Sequence, residues 1–142
     1  MTNPPPWAAN GGQQSHPISG NSDVVRARQL VRILAQQSKL SLVDQTKLIT
    51  AASELARNTM VYGGGGELQA GLVRRDDRMG VAAVFQDSGP GIADVDLALT
   101  DGWTSGGGLG LGLSGARRLV DEFYLDTEVG RGTTVTIIKW AR

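Results

Sequence analysis

The chain has 142 residues, 40% of them hydrophobic, enough for one compact domain with its own core and too few for two of ordinary size. Fourteen basic residues balance fourteen acidic ones, which argues against a general nucleic-acid binder, whose affinity comes largely from neutralising phosphates. The absence of cysteine excludes a disulfide framework or a thiolate metal site, and no apolar run reaches the ~18 residues of a membrane helix.

Four of the five prolines fall in residues 1–20, among Asn, Gln and Gly. That composition predicts a disordered tail, whose last part, around Gln14 to Ile18, is able to add an edge strand. The start shows no basic segment followed by an apolar run, so no signal peptide is expected, and the default is a soluble cytoplasmic protein. His16, the sole histidine, has no second His or Cys to share a metal with. The folded domain is expected over 21–142.

Asp23 is placed to cap a helix that runs to about Ser38, with Val24, Leu30, Val31, Leu34 and Ala35 as its apolar stripe. Arg26, Arg28, Arg32 and Lys39 decorate the other face, either as a solvated surface or as a docking one. Ser41 caps a second helix from Leu42 to about Tyr62, with Asp44 at the third helical position. Leu48, Ala51, Ala52, Leu55, Ala56 and Met60 give it a small-residue apolar face. Gly63 to Gly66 end it, Gly63 being suited to the left-handed position after a helix.

Glu67 to Arg74 alternates as a strand, Arg75 to Arg78 reads as a charged hairpin turn, and Met79 to Gln86 is apolar enough to lie centrally in a sheet. Ala93 to Thr100 reads as a short helix capped by Asp94. With Asp101 to Thr104 it forms a candidate lid, in which Trp103 is a packing anchor or a partner contact. Leu113 to Glu122 reads as a helix, Tyr124 to Val129 as a strand, Gly130 to Gly132 as a turn, and Thr133 to Trp140 as a β-branched strand. Hairpins interleaved with helices predict an α+β fold, a two-layer α/β sandwich with a mixed sheet and helices on one face.

Three stretches carry chemistry. Ser105 to Gly115 reads SGGGLGLGLSG. Glycines let a backbone approach a ligand closely, and N–H groups at a helix start hold phosphate. A flexible linker is the alternative, but linkers do not usually place a leucine at every second position. No G-K-[ST] follows, so it is not a P-loop, and no strand directly precedes it as a dinucleotide fingerprint requires. Glu54 and Asn58 stand four apart and project from one side of a helix, as a functional or an ordinary surface pair. Asp87 ends a strand and is followed by Ser88-Gly89-Pro90-Gly91. A carboxylate there can accept from an exocyclic amine, with glycines letting a flat base lie on the backbone; a plain turn is the alternative.

Glu54-Leu-Ala-Arg-Asn58, Asp87-Ser-Gly89-Pro-Gly91, Gly106-Gly-Gly-Leu-Gly110-Leu-Gly112 and Gly130-Arg-Gly132-Thr133 resemble, in order and spacing, the four nucleotide-binding boxes of the GHKL ATPases. That group shares the Bergerat fold of gyrase, histidine kinases and MutL. Ser41-Leu-Val-Asp-Gln-Thr-Lys47, Asp101-Gly-Trp-Thr-Ser105 and Arg117-Arg-Leu-Val-Asp-Glu-Phe123 resemble, more narrowly, the RsbT-type switch kinases of the stressosome, over residues 22–140. The short chain, without a transmitter or dimerisation segment, fits the small serine/threonine kinases of that superfamily.

The resemblance implies ATP and Mg²⁺ as cofactors and assigns roles. Asn58 would hold Mg²⁺, and Glu54 would act as general base. Asp87 would read the adenine amine, with Gly89 and Gly91 at the base pocket and Thr133 completing it. Gly106, Gly107, Gly108, Leu109, Gly110, Leu111 and Gly112 would give N–H groups to the phosphates. Arg57 would steady a phosphate or form an ordinary salt bridge.

It further implies a serine/threonine kinase acting on a STAS-domain protein, RsbS-like or an RsbR-like scaffold. Partner switching would then involve a PP2C-type phosphatase, or a sigma factor if the chain is an anti-sigma factor of the same fold. A non-catalytic ATP-binding module is the third reading; it leaves Glu54 without a task.

Overall fold

The computed structural model describes residues 13–100 and 112–142. The elements in chain order are β1 (Gln13–Ile18), α1 (Asn21–Gln37), α2 (Leu42–Val61), β2 (Gly66–Arg75), β3 (Arg78–Asp87), α3 (Val95–Ala98), α4 (Gly112–Arg118), β4 (Glu122–Glu128) and β5 (Gly132–Trp140). The strands form one sheet in the order β1-β2-β3-β5-β4, with the helices packed on one face. The α+β two-layer sandwich is therefore present, and β3 is its central strand.

The sheet is antiparallel at every pairing among the described residues, not mixed. β3 and β4 do run in the same direction, but β5 lies between them and opposes both. The tight turn from β4 into β5 places the last strand in that gap, so no parallel neighbours meet.

β1 pairs with β2 along its length, Pro17 opposite Glu67, and Ile18 is fully buried. The packed unit thus reaches back to Gln13, into the stretch assigned to a tail. Pro17 is tolerated because an edge strand leaves one row of its N–H groups unpaired.

α1 begins two residues before Asp23. The Asp23 carboxylate sits at the third helical position and accepts from Ser19 N and Oγ at 2.9 Å and from Gly20 N at 3.2 Å. Those donors, the Ser19 backbone N–H first, hold its carboxyl below the ordinary value of 3.8. α2 starts as its sequence dictates: Ser41 Oγ accepts from Asp44 N at 3.1 Å. Ala51, Ala52 and Ala56 are fully buried, and their small side chains let α2 lie close to its neighbours.

Val81, Ala83 and Phe85 alternate towards the helices and meet Leu48, Leu55 and Ile137 in the main core. Ala82 and Val84 point the other way, to a smaller cluster with Val73, Ile138 and Trp140. Trp140 lies over Gly80, where a Cβ would come 2.7 Å from the indole.

α4 ends at Arg118, and Glu122 opens β4 instead of closing the expected helix. Asp121 overrides the helical pattern: its N–H donates to Ile138 O at 3.0 Å and its carboxylate accepts from Trp140 N at 2.8 Å. Beside it Lys139 is 4% exposed, with its Nζ 3.6 Å from both Asp44 and Asp121. Arg142 reaches the same two aspartates, at 3.8 and 2.6 Å. This network ties the first turn of α2 to the end of β5 and so fixes where the rest of α2 lies on the sheet.

Candidate active site

A cavity of about 450 Å³ opens where the C-terminal half of α2 passes the end of β3. That volume lies within the roughly 300–1,000 Å³ range of small-molecule sites. Glu54 and Asn58 line it from α2, Asp87 from the last position of β3, and Thr133 from β5. Phe85 and Val135 form an apolar floor, and Ile92, Leu97 and Leu113 an apolar wall.

The Asp87 carboxylate is held, not merely present. Its Oδ1 accepts from Gly89 N at 2.9 Å and from Thr133 N at 3.2 Å. Its Oδ2 has no hydrogen-bond partner among the described residues. An anchored carboxylate with one oxygen left over, in a largely apolar cavity, suits a heterocycle that carries an exocyclic amine. Thr133 Oγ1 lies 2.9 Å from Thr127 Oγ1, which accepts from Ile92 N at 2.9 Å. Through that pair the β4–β5 hairpin fixes the loop after β3.

The glycines around Asp87 are forced by distance. A Cβ on Gly63 would lie 2.4 Å from Asp87 Cγ, and one on Gly89 would lie 2.8 Å from Gly63 Cα. Gly63 itself is not left-handed; that conformation falls on Gly64 and Gly65, at φ 75° and 104°. So the expected role of Gly63 as a helix terminator is corrected: it leaves room for the carboxylate. Gly91 does need its conformation, with φ 78° and a Cβ that would sit 2.4 Å from Glu128 O.

Of the residues singled out in the sequence, Glu54, Asn58, Asp87, Gly91, Gly112 and Thr133 share the cavity wall, with Arg57 beside them. Gly89 stands behind Asp87. Gly106, Gly107, Gly108, Leu109, Gly110 and Leu111 lie outside the described residues, as does Trp103 of the candidate lid. Gly112 opens α4 at φ 72° and brings that helix start to the cavity. Sequence reasoning missed Gly63 and Thr127 as parts of the site. Neither sits in a pattern of its own; each matters through a residue distant in sequence.

The cavity thus offers an acceptor for an exocyclic amine among apolar side chains, together with a carboxylate and an amide one helical turn apart on α2 and the start of α4. This is a donor and acceptor set that fits ATP.

The chain matches the family model described as histidine kinase-, DNA gyrase B- and HSP90-like ATPase over residues 43–141. It is 43% identical over 120 residues to the serine/threonine-protein kinase RsbT of Bacillus subtilis (strain 168), covering 84% of this chain and 90% of that one. A solved structure of RsbU and RsbW domains from Mycobacterium tuberculosis superposes at a TM-score of 0.61 with 19% identity, over 92% of this chain and 33% of that longer chain. The mycobacterial sensor histidine kinase MprB superposes at 0.54 with 19% identity, over 92% of this chain and 98% of that one. These two likenesses bear on the fold alone. The family match and the identity to the kinase agree: the chain belongs to the histidine kinase-, DNA gyrase B- and HSP90-like ATPase family, among its RsbT-type serine/threonine kinases.

Proposed function

We propose that this chain, with ATP and Mg²⁺, phosphorylates a serine or threonine of a small STAS-domain protein in the cytoplasm, and that the phosphorylation state decides which further partner is held or released. The observation that carries this reading is that Glu54, Asn58 and Asp87 line one cavity.

Asp87 binds the adenine amine through its free Oδ2, Gly63 leaves room for that carboxylate, and Gly91 lines the pocket. The helix start at Gly112 faces the phosphate end. Asn58 offers its amide oxygen to the cation. Mg²⁺ would be carried largely on the substrate phosphates, where one or two protein ligands serve. Bound there, Mg²⁺ supplies charge neutralisation at the transferring group. Glu54, one turn from Asn58, orients the acceptor hydroxyl and takes its proton. By the resemblance to RsbT, the partner is an RsbS-like STAS protein or an RsbR-like scaffold, and the switched protein a PP2C-type phosphatase.

The test is transfer of labelled γ-phosphate from ATP to a purified RsbS-like STAS protein. Wild type labels a serine or threonine. Glu54→Ala lowers the rate by about 10²–10⁴-fold, with ATP affinity kept. Undiminished transfer in that variant removes Glu54 from its role. A pull-down that brings down a sigma factor in place of a phosphatase would move the chain to the anti-sigma reading.

A further inference from the structure

The exposed side of α2 continues beyond the cavity. Leu42, Val43, Thr46, Lys47, Thr50 and Arg57 are exposed, Glu54 is half-buried, and their spacing of three and four places them on one stripe of the helix. The stripe ends in the cavity, which Glu54 and Arg57 both line. At its start, Leu42 is 77% exposed and Val43 64%. Leucine and valine in a solvated first turn satisfy no helix-start donor, and they add nothing to this core. Lys47 and Arg57 make no ion pair among the described residues, and Glu54, at the cavity, is the stripe's one acid. Asp44 turns away to Lys139 and Arg142.

We propose that this stripe is where the phosphate-accepting protein docks. Leu42 and Val43 serve as the apolar anchor, and Lys47 meets a carboxylate on the partner. The proposal rests on the kinase reading above and adds the surface that delivers the hydroxyl to Glu54. The continuity of the stripe with the cavity is what selects this occupant. From Leu42 to Glu54 the helix rises about 18 Å, which a single small domain some 30 Å across spans with room to spare. The partner is identified by its chemistry: an acceptor hydroxyl on one side, an apolar spot about 18 Å away, and acidic residues between them.

The test is steady-state transfer to an RsbS-like STAS protein by wild type and by three variants, Leu42→Asp with Val43→Asp, Lys47→Glu and Lys47→Arg. ATP-analogue affinity and circular dichroism are measured on each as controls. The double variant is expected to raise KM for the STAS protein at least about tenfold, with kcat and nucleotide affinity unchanged, as for loss of a central apolar anchor. Lys47→Glu raises KM and inverts its salt dependence, KM falling as salt screens the new repulsion, while Lys47→Arg restores the wild-type value. An unchanged KM in the folded double variant overturns the docking surface while leaving the kinase reading intact. If wild type transfers nothing to the STAS protein, the kinase reading fails and the docking surface falls with it. If the substitutions alter only self-association in sedimentation, the stripe belongs to a second copy and the proposal is wrong.

Discussion

On the proposed reading, the environment of Asp87 leaves a single carboxylate oxygen for a base. Its Oδ1 is committed to Gly89 N and Thr133 N, so only Oδ2 is left for a ligand. Asp87→Asn can satisfy the same two N–H groups with its amide oxygen, but then it points an NH₂ at the purine amine, donor to donor. Nucleotide affinity is expected to fall by about 10–100-fold, the worth of one hydrogen bond to a charged group; unchanged affinity by calorimetry would contradict the assignment. Gly63 tests the same spot from behind. Gly63→Ala puts a Cβ 2.4 Å from Asp87 Cγ and is expected to weaken nucleotide binding, while the neighbouring Gly64→Ala meets open space at φ 75° and costs only about 1 kcal/mol of stability. Asp87 was legible in the sequence, because an acid that closes an apolar strand before two glycines is a local pattern. Gly63 was not, because what it makes room for lies 24 positions further along, and glycine after a helix has a commoner explanation.

At the scale of elements, the outer face of the sheet is held by a hub. Glu122 accepts from Tyr124 Oη at 2.5 Å, Trp140 Nε1 at 2.6 Å and Arg75 NH1 at 2.9 Å, and the Arg75 guanidinium lies 4.8 Å from the indole centre. Partial burial pushes the Glu122 carboxyl up, but the bonds from Tyr124, Trp140 and Arg75 together outweigh it and leave the group below its ordinary value of 4.5. The carboxylate form is therefore favoured by folding. Its contribution is full above about pH 4.5 and is lost as pH falls through the lower folded value. Tyr124 mirrors it: its bond to Glu122 and its burial raise the phenol above 10.0, so its share persists below that pH and is lost above it. Glu122→Gln is expected to lower the unfolding free energy at pH 7 by about 1–2 kcal/mol and to flatten its pH dependence below about pH 4.5; a variant that kept the wild-type pH dependence in urea titrations would show the hub to be inert. The β-branched run of β5 was legible. The boundary between α4 and β4 was not, because Leu119, Val120 and Phe123 satisfy a helical stripe equally well, and only contacts of Asp121 with Ile138 and Trp140 decide against it.

At the scale of the molecule, the two ends of the chain's fold position one helix. The buried Lys139 draws Asp44 at the start of α2 and Asp121 before β4 to the same place, and α2 then carries Glu54 and Asn58 to the cavity at its other end. Lys139→Met leaves both aspartates with Arg142 as their only cation in this network. The expected loss is about 2–3 kcal/mol, or roughly 5–10 °C in Tm, and a thermal scan that matched wild type would mean that packing alone sets α2. The layer order and the helices on one face could be read from hydrophobic spacing, since each element keeps its period. The antiparallel sheet could not, because strand direction depends on where β5 inserts, and nothing local in Thr133 to Trp140 names its two neighbours. The same holds for the site: its polar residues were legible one by one, but their convergence on one cavity is a property of the assembled sheet and α2. That convergence is most directly tested by a crystal structure with Mg²⁺ and a non-hydrolysable ATP analogue. The account predicts the purine amine within hydrogen-bond distance of Asp87 Oδ2 and the Asn58 amide oxygen facing the cation on the phosphates; a purine bound away from Asp87, or Asn58 turned from the nucleotide, would contradict it.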